Sequence, residues 1–216
     1  MPDAKDLMPR DPQRARGKAR FESLLDSVDT LLRDREPRDI TIQEVALHAN
    51  VPLASVYHYF PNNAALLIGA ARRYVDQIDR LQSVPLGHEG LRVWTDICRF
   101  HSDVANQFYT DFPVAMKLFF GADGSPHIRA IDLEANLRVA RRQLAAYRRH
   151  FILPEGDHLV DRCAIALGIS DSVLTLSYSR HRRITNELLE EAWQARIAYL
   201  RLYLPERAVK RSAPLS

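Results

Sequence analysis

The chain has 216 residues, with 30 Lys and Arg against 27 Asp and Glu, 46% hydrophobic residues and only eight glycines. That length can bury one good core or two closely packed ones, and few glycines among many Ala, Leu and Arg favour helix. No uncharged apolar run is long enough to cross a bilayer, the N-terminus is too polar and proline-broken for a secretory leader, and Cys98 and Cys163 are too isolated for a disulfide framework or a zinc site. The expectation is an all-α protein of the reducing cytoplasm, with no membrane, metal or cofactor.

Residues 1–13 carry Pro2, Pro9 and Pro12 and little apolar content, so they read as a disordered tail. A helix is expected over 16–33, burying Phe21, Leu24, Leu25, Val28, Leu31 and Leu32. Just before and within its first turns lie Arg10, Arg14, Arg16, Lys18 and Arg20, opposed only by Asp11. Such a run suits phosphates flanking a groove and agrees with an isoelectric point near 9.0. After a loop at 36–39, residues 41–67 read as two short helices with a tight turn, followed at once by a third. Thr41 starts the first, and Asn50 stands where a left-handed residue must end it. Pro52 opens the second, 52–59, which packs through Val56 and Tyr59 and turns a polar, aromatic face outward. Asn62 caps the next helix, 63–82.

Beyond a break at 83–90, a helix over 91–109 and a short one over 113–120 are expected. A third runs from Pro126 to Phe151 and buries Leu133, Leu137, Ala140, Leu144 and Tyr147. Helices over 155–182 and 185–204 are apolar on two sides. One side suits their own domain. The other, with Ile165, Ile169, Val173 and Leu176 on the first helix and Leu188, Ala192, Ala195 and Tyr199 on the second, calls for a second copy of the chain.

The helix-turn-helix stretch resembles the TetR family of transcriptional regulators. That family's pattern runs Thr-x-x-x-Ile-Ala-x-x-Ala-Gly-Val-Ser-x-Gly-Thr-Leu-Tyr-x-x-Phe-x-x-Lys-x-x-Leu. Here it stands as Thr41, Val45, Ala46, Ala49, Asn50, Val51, Pro52, Ala54, Ser55, Val56, Tyr57, Phe60, Asn63 and Leu66. The resemblance implies a DNA-binding domain over 14–62, an effector-binding and dimerisation domain over 63–205, and a flexible tail over 206–216. It implies a homodimer on an inverted-repeat operator, most commonly a repressor released by a small molecule. Thr41 would anchor to phosphate, Ser55, Tyr57 and His58 would touch backbone or bases, and Leu53 and Ala54 would meet thymine methyls. Asn62 and Asn63 open the next helix beside the DNA.

Three positions depart from the pattern. The usual N-cap Ser is Pro52, the usual turn Gly is Asn50, and the usual phosphate-binding Lys is Asn63. With no Lys or Arg in 45–63, phosphate attraction falls to Arg14, Arg16 and Lys18, and protonation of His58 is expected to strengthen binding. For the effector, the resemblance points between the middle helices. The candidate lining is Trp94, Cys98, His101, Phe108, Phe112 and Met116, then Phe120, Tyr147, Cys163, Leu167, Asp171 and Tyr178. That wall suits a hydrophobic or aromatic effector.

Catalysis is not expected. His150, His158 and Asp161 lack a compact metal spacing, and His101 and Asp103 cannot share a helical face. There is no phosphate-cradling glycine loop and no nucleophile elbow. The alternative is a DNA-bound adaptor of the same fold whose second domain engages a protein partner.

Overall fold

The computed structural model describes residues 8–121, 125–156 and 158–215. Among these are nine α-helices: α1 (Ala15–Asp34), α2 (Ile42–His48), α3 (Leu53–Tyr59), α4 (Asn63–Gln82), α5 (Trp94–Asp111), α6 (Pro113–Phe120), α7 (Pro126–His150), α8 (His158–His181) and α9 (Asn186–Leu200). Two short strands, β1 (Phe151–Ile152) and β2 (Val209–Lys210), complete the elements. The chain forms two compact units, Met1–Asp76 with Phe112–Ile131, and Gln77–Asp111 with Asp132–Ser216. Both α4 and α7 begin in the first unit and end in the second.

In the first unit α1 buries Phe21, Leu24, Leu25, Val28 and Leu32 at three- and four-residue steps. The last four are at most 1% exposed, so each contributes about 1.5–3 kcal/mol. α4 passes close by. A Cβ at Gly69 would lie 2.8 Å from the Phe60 ring and 3.3 Å from Leu25, so only glycine fits there unshifted. α6 joins the unit through Lys117, whose Nζ donates to the Leu32 and Arg35 carbonyls, each at 2.7 Å, at the C-terminal end of α1. The N-terminal segment is not the loose tail its prolines suggest. Pro9 is buried, the Arg10 N–H donates to the Tyr59 carbonyl at 2.8 Å, and Arg72 donates to the Met8 sulfur at 3.4 Å. The first seven residues of that expected tail lie outside the described ones.

In the second unit Trp94, Ile97, Cys98, Ala140, Leu144 and Tyr147 centre a packed core to which α8 and α9 add Cys163, Leu167, Ile197 and Leu200. Trp94 satisfies its indole N–H on the Pro205 carbonyl at 2.8 Å. The turn between α8 and α9 is tied by Ser177, whose hydroxyl donates to the Arg183 carbonyl at 3.0 Å and accepts from the Thr185 N–H at 2.9 Å.

Four expectations need correction here. Leu133 is 48% exposed, because Ala135, Val139 and Ala140 take the buried side of α7. Phe151 lies just past α7, in β1. Ala192 is only 3% exposed: it faces α8, where its carbonyl accepts from the Ser170 hydroxyl at 3.1 Å, and it is not on an open face. The flexible tail expected from residue 206 is instead folded back. β2 pairs antiparallel with β1, Phe151 opposite Lys210 and Ile152 opposite Val209. The Arg211 and Leu215 N–H groups donate to the His150 and Arg149 carbonyls, each at 2.9 Å.

Candidate nucleic-acid interface and a cleft in the second unit

Helix α2 is held at both ends by its own sequence. Thr41 and Glu44 form a reciprocal capping box: the Glu44 N–H donates to the Thr41 hydroxyl at 3.3 Å, and the Thr41 N–H donates to Glu44 Oε2 at 3.1 Å. The Thr41 hydroxyl also donates to Oε2, at 2.7 Å. Arg35, donating to Glu44 Oε1 at 2.7 Å, and then Thr41 hold the Glu44 carboxyl down at about 2. At the other end Asn50 adopts φ 52°, its N–H bonding the Leu47 carbonyl and the Val51 N–H bonding the Ala46 carbonyl. These are the two bonds of a Schellman turn, with asparagine in the place usually given to glycine.

Pro52 sits at the N-cap of α3 with extended ψ and no side-chain bond, leaving its carbonyl to accept from the Ser55 N–H at 2.8 Å. α3 buries Val56 and Tyr59. Tyr59 meets the Phe21 ring edge-on at 5.8 Å, so it packs as expected. Leu53, Ala54, Tyr57 and His58 are exposed and Ser55 is half-buried, which leaves a continuous outward face. Asn62 caps α4 as its position predicts, accepting from the Ala65 N–H at 2.9 Å.

Two of the expected DNA-binding residues, Asn63 and Thr41, have other work. The Asn63 carboxamide oxygen accepts from the Ile42 N–H at 3.0 Å, across 21 residues, and so closes the open N-terminus of α2. Thr41 spends its hydroxyl hydrogen and its N–H on Glu44. Three of the four N–H groups at the start of α2, those of Thr41, Ile42 and Glu44, are therefore satisfied within the chain.

The cationic groups gather elsewhere. Arg10, Arg14, Arg16 and Arg20 share one cleft of about 920 Å³ with Ala54, Ser55, His58 and Tyr59 of α3. The bond from Arg10 to the Tyr59 carbonyl fixes this arrangement. Lys18, expected alongside Arg14 and Arg16, is exposed but does not line the cleft, whereas Arg10 and Arg20 do.

The second unit has a smaller cleft of about 390 Å³. Its floor is Gln82 and His101, both buried. Gln82 donates to the His101 carbonyl at 3.5 Å, but Gln82 Oε1 and His101 Nδ1 have no partner among the described residues. Burial, and then the nearby Arg196 and Arg142 guanidinium groups, push the His101 pKa down to about 4. Arg142, Arg148 and Arg149 line the same space, and Leu215 of the folded-back tail closes one side. Next to it His88 Nε2 lies 3.0 Å from the Arg211 carbonyl and His88 Nδ1 lies 2.9 Å from His150 Nδ1. The carbonyl can only accept, so His88 Nε2 carries a hydrogen, and one of the two Nδ1 atoms donates to the other.

Comparison with known proteins gives these sites a context. Residues 94–204, just over half the chain, match the family described as Tetracyclin repressor-like, C-terminal domain. The chain belongs to the TetR family of transcriptional regulators. Solved TetR-type structures share its fold. A TetR-family transcriptional regulator from Streptomyces coelicolor superposes with a TM-score of 0.66 at 21% identity, covering 86% of this chain and 99% of that one. A TetR regulator from Rhodococcus sp. RHA1 gives 0.63 at 20% identity, over 87% and 97%. SmeT, the repressor of the Stenotrophomonas maltophilia multidrug efflux pump SmeDEF, gives 0.60 at 14%, over 86% and 91%. No curated protein matches the chain. Among the described residues no helix is long and apolar enough to cross a membrane.

The twelve residues expected to line a TetR effector pocket are distributed unevenly. Phe112, Met116 and Phe120 fall in the first unit, where Phe112 meets the Tyr74 ring at 5.9 Å. Trp94, Cys98, Tyr147, Cys163 and Leu167 belong to the packed core of the second unit, as do the buried Phe108 and Tyr178 to its interior. Burial raises the Cys163 thiol to about 11. Asp171 accepts from Asn136 at 2.6 Å, joining α7 to α8. Only His101 of the twelve lines the cleft, and the residues around it (Gln82, Arg142, Arg148, Arg149 and Leu215) were missed. The arginines look like solvated surface in a helical pattern, and Leu215 comes from residues read as a tail. Arg196 was also missed. It is 3% exposed, donates to the Gln143 side-chain carbonyl, and lies near Cys98, Tyr147 and Cys163.

Proposed function

We propose that this TetR-family regulator is a homodimeric repressor that reads an inverted-repeat operator through α3 and leaves it when a small effector binds the second unit. The observation that carries the DNA-reading part is the cleft joining Arg10, Arg14, Arg16 and Arg20 to the exposed face of α3. The arginines supply sequence-independent attraction to phosphate, while Leu53, Ala54, Ser55, Tyr57 and His58 stand free to meet base edges. In this reading residues 14–62 are the reader, reinforced by the latch at Arg10, and Thr41, Asn62 and Asn63 hold its helices in register.

Dimerisation through α8 and α9 is supported by Ile165 and Leu176, which are 43% and 41% exposed, with Ile169, Val173, Leu188, Ala195 and Tyr199 part-buried around them. Effector response would pass along α4, which runs unbroken from Asn63 to Gln82, that is, from the capped reader to the floor of the second cleft.

The test is selection of bound sequences from a random duplex library at near-physiological salt, followed by salt titration on the recovered site. An inverted repeat is expected. Replacing Arg10, Arg14, Arg16 and Arg20 together by Ala should flatten the slope of log affinity against log salt by about 0.9 for each phosphate no longer neutralised. Recovery of no enriched sequence, or an unchanged slope, would overturn the reading.

A further inference from the structure

We propose that the cleft of the second unit binds a small hydroxylated organic acid, its hydroxyl on the floor between His101 and Gln82 and its carboxylate at the arginine rim. The argument starts from the two orphaned atoms. Gln82 is 7% exposed and His101 5%. A buried polar atom without a partner costs roughly 1–3 kcal/mol, so a pair of them on two residues that line one cavity marks a place where a ligand restores what folding left open.

Their chemistry selects the group. The Gln82 amide nitrogen is committed to the His101 carbonyl, so the free end is an acceptor and requires a hydrogen. His101 Nδ1 offers or takes a hydrogen according to its tautomer. A hydroxyl satisfies both by donating to Gln82 Oε1 and accepting from His101 Nδ1–H. A carboxylate on the floor would set like against like at Gln82.

The rim selects the charge. Among the described residues three guanidinium groups and no carboxylate line the cleft. Arg142 is neutralised by Asp79 at 2.6 Å, but among the described residues Arg148 donates only to the Gly156 carbonyl, at 3.3 Å, and the Arg149 side chain has no partner. Arginine's planar fork suits a carboxylate. Between floor and rim the wall is mainly apolar, with Val84, Pro85, Leu86 and Leu215 among its members and Ser83 and His150 as its polar points. A volume of about 390 Å³ lies at the small end of ligand sites, sized for a single ring with a short side chain.

The inference rests on the effector-responsive reading only for its consequence, because binding is measurable without DNA. The probe is 4-hydroxycinnamate, titrated calorimetrically into the full chain beside cinnamate, which lacks the hydroxyl, and methyl 4-hydroxycinnamate, which lacks the charge. Each analogue is expected to bind at least about tenfold more weakly than the parent. His101→Phe should abolish the preference over cinnamate alone, and Arg149→Gln the preference over the ester alone. Absence of binding up to about 1 mM, or three compounds within a factor of about two of one another, overturns the proposal. The comparison among probes uses the wild-type chain, so it stands if a variant fails to fold. Binding that leaves the operator complex intact would sink the regulatory reading and keep the site. Operator release by a compound indifferent to both variants would do the reverse.

Discussion

Replacing His101 by Gln should remove a defined part of the protein's acid sensitivity. In the folded chain burial, with Arg196 and Arg142 nearby, holds the imidazole at about 4 against an ordinary value of 6.5. The unfolded chain therefore binds the proton first as pH falls. The stability that neutral His101 lends is complete above 6.5, declines as pH drops below it, and is lost by about 4. At pH 7 the contribution lost is about 0.2 kcal/mol, and at pH 5 it is about 2 kcal/mol. Urea unfolding at pH 7 and pH 5, at one fixed protein concentration, gives the fall in unfolding free energy for each protein. That fall should be about 2 kcal/mol smaller in His101→Gln than in wild type, whatever the variant does to stability at pH 7. Parallel falls would refute the claim that His101 is buried neutral.

Other consequences are as direct. Asn63→Ala strands the Ile42 N–H and should lower stability by about 1 kcal/mol, a drop of roughly 2–4 °C in melting temperature. If Asn63 instead acts only on phosphate, melting will not move. Asn50→Gly should be neutral or better, while Asn50→Val, forced to a positive φ, should lose about 1–2 kcal/mol in the same melts; equal losses would argue against the Schellman turn. Gly69→Ala should cost about 1–3 kcal/mol through its clash with Phe60, and a harmless alanine would mean α4 stands off from Phe60. Cys98 and Cys163 are both buried, with Cys163 raised to about 11, so neither should react with iodoacetamide at pH 8 until denaturant is added.

What could be read in advance was whatever depends on near neighbours. The helix start at Thr41, the left-handed Asn50 and the cap at Asn62 each answer to a backbone group within five residues, and each appears where its residue type places it. Asn63 did not yield to the same reasoning. Its partner is 21 residues away, and only the folded corner brings Ile42 to it. The arginines of α7 illustrate a second limit. Periodicity separates apolar from charged faces, but it cannot tell a face open to solvent from one that lines a cleft. Arg196 is harder still, a cation in the interior at a position where a helical pattern assigns charge to the surface. The tail past residue 206 is polar and carries proline, so no local signal announces strand β2; pairing with β1 supplies it. The proline-rich segment before α1 misled in the same way, since its order comes from Tyr59 and Arg72.

The distances along the chain also imply an order of assembly. The reader's corner is closed by bonds between residues that lie near one another in sequence, as Ile42 and Asn63 do. Beside the second unit's cleft lie pairings such as His88 with Arg211, 123 residues apart. Short loops close sooner and at less entropic cost than long ones. A chain emerging from the ribosome would thus have its helix-turn-helix corner formed while the clasp at Arg211 is still unmade, so the last residues to be made are the ones that finish the second unit.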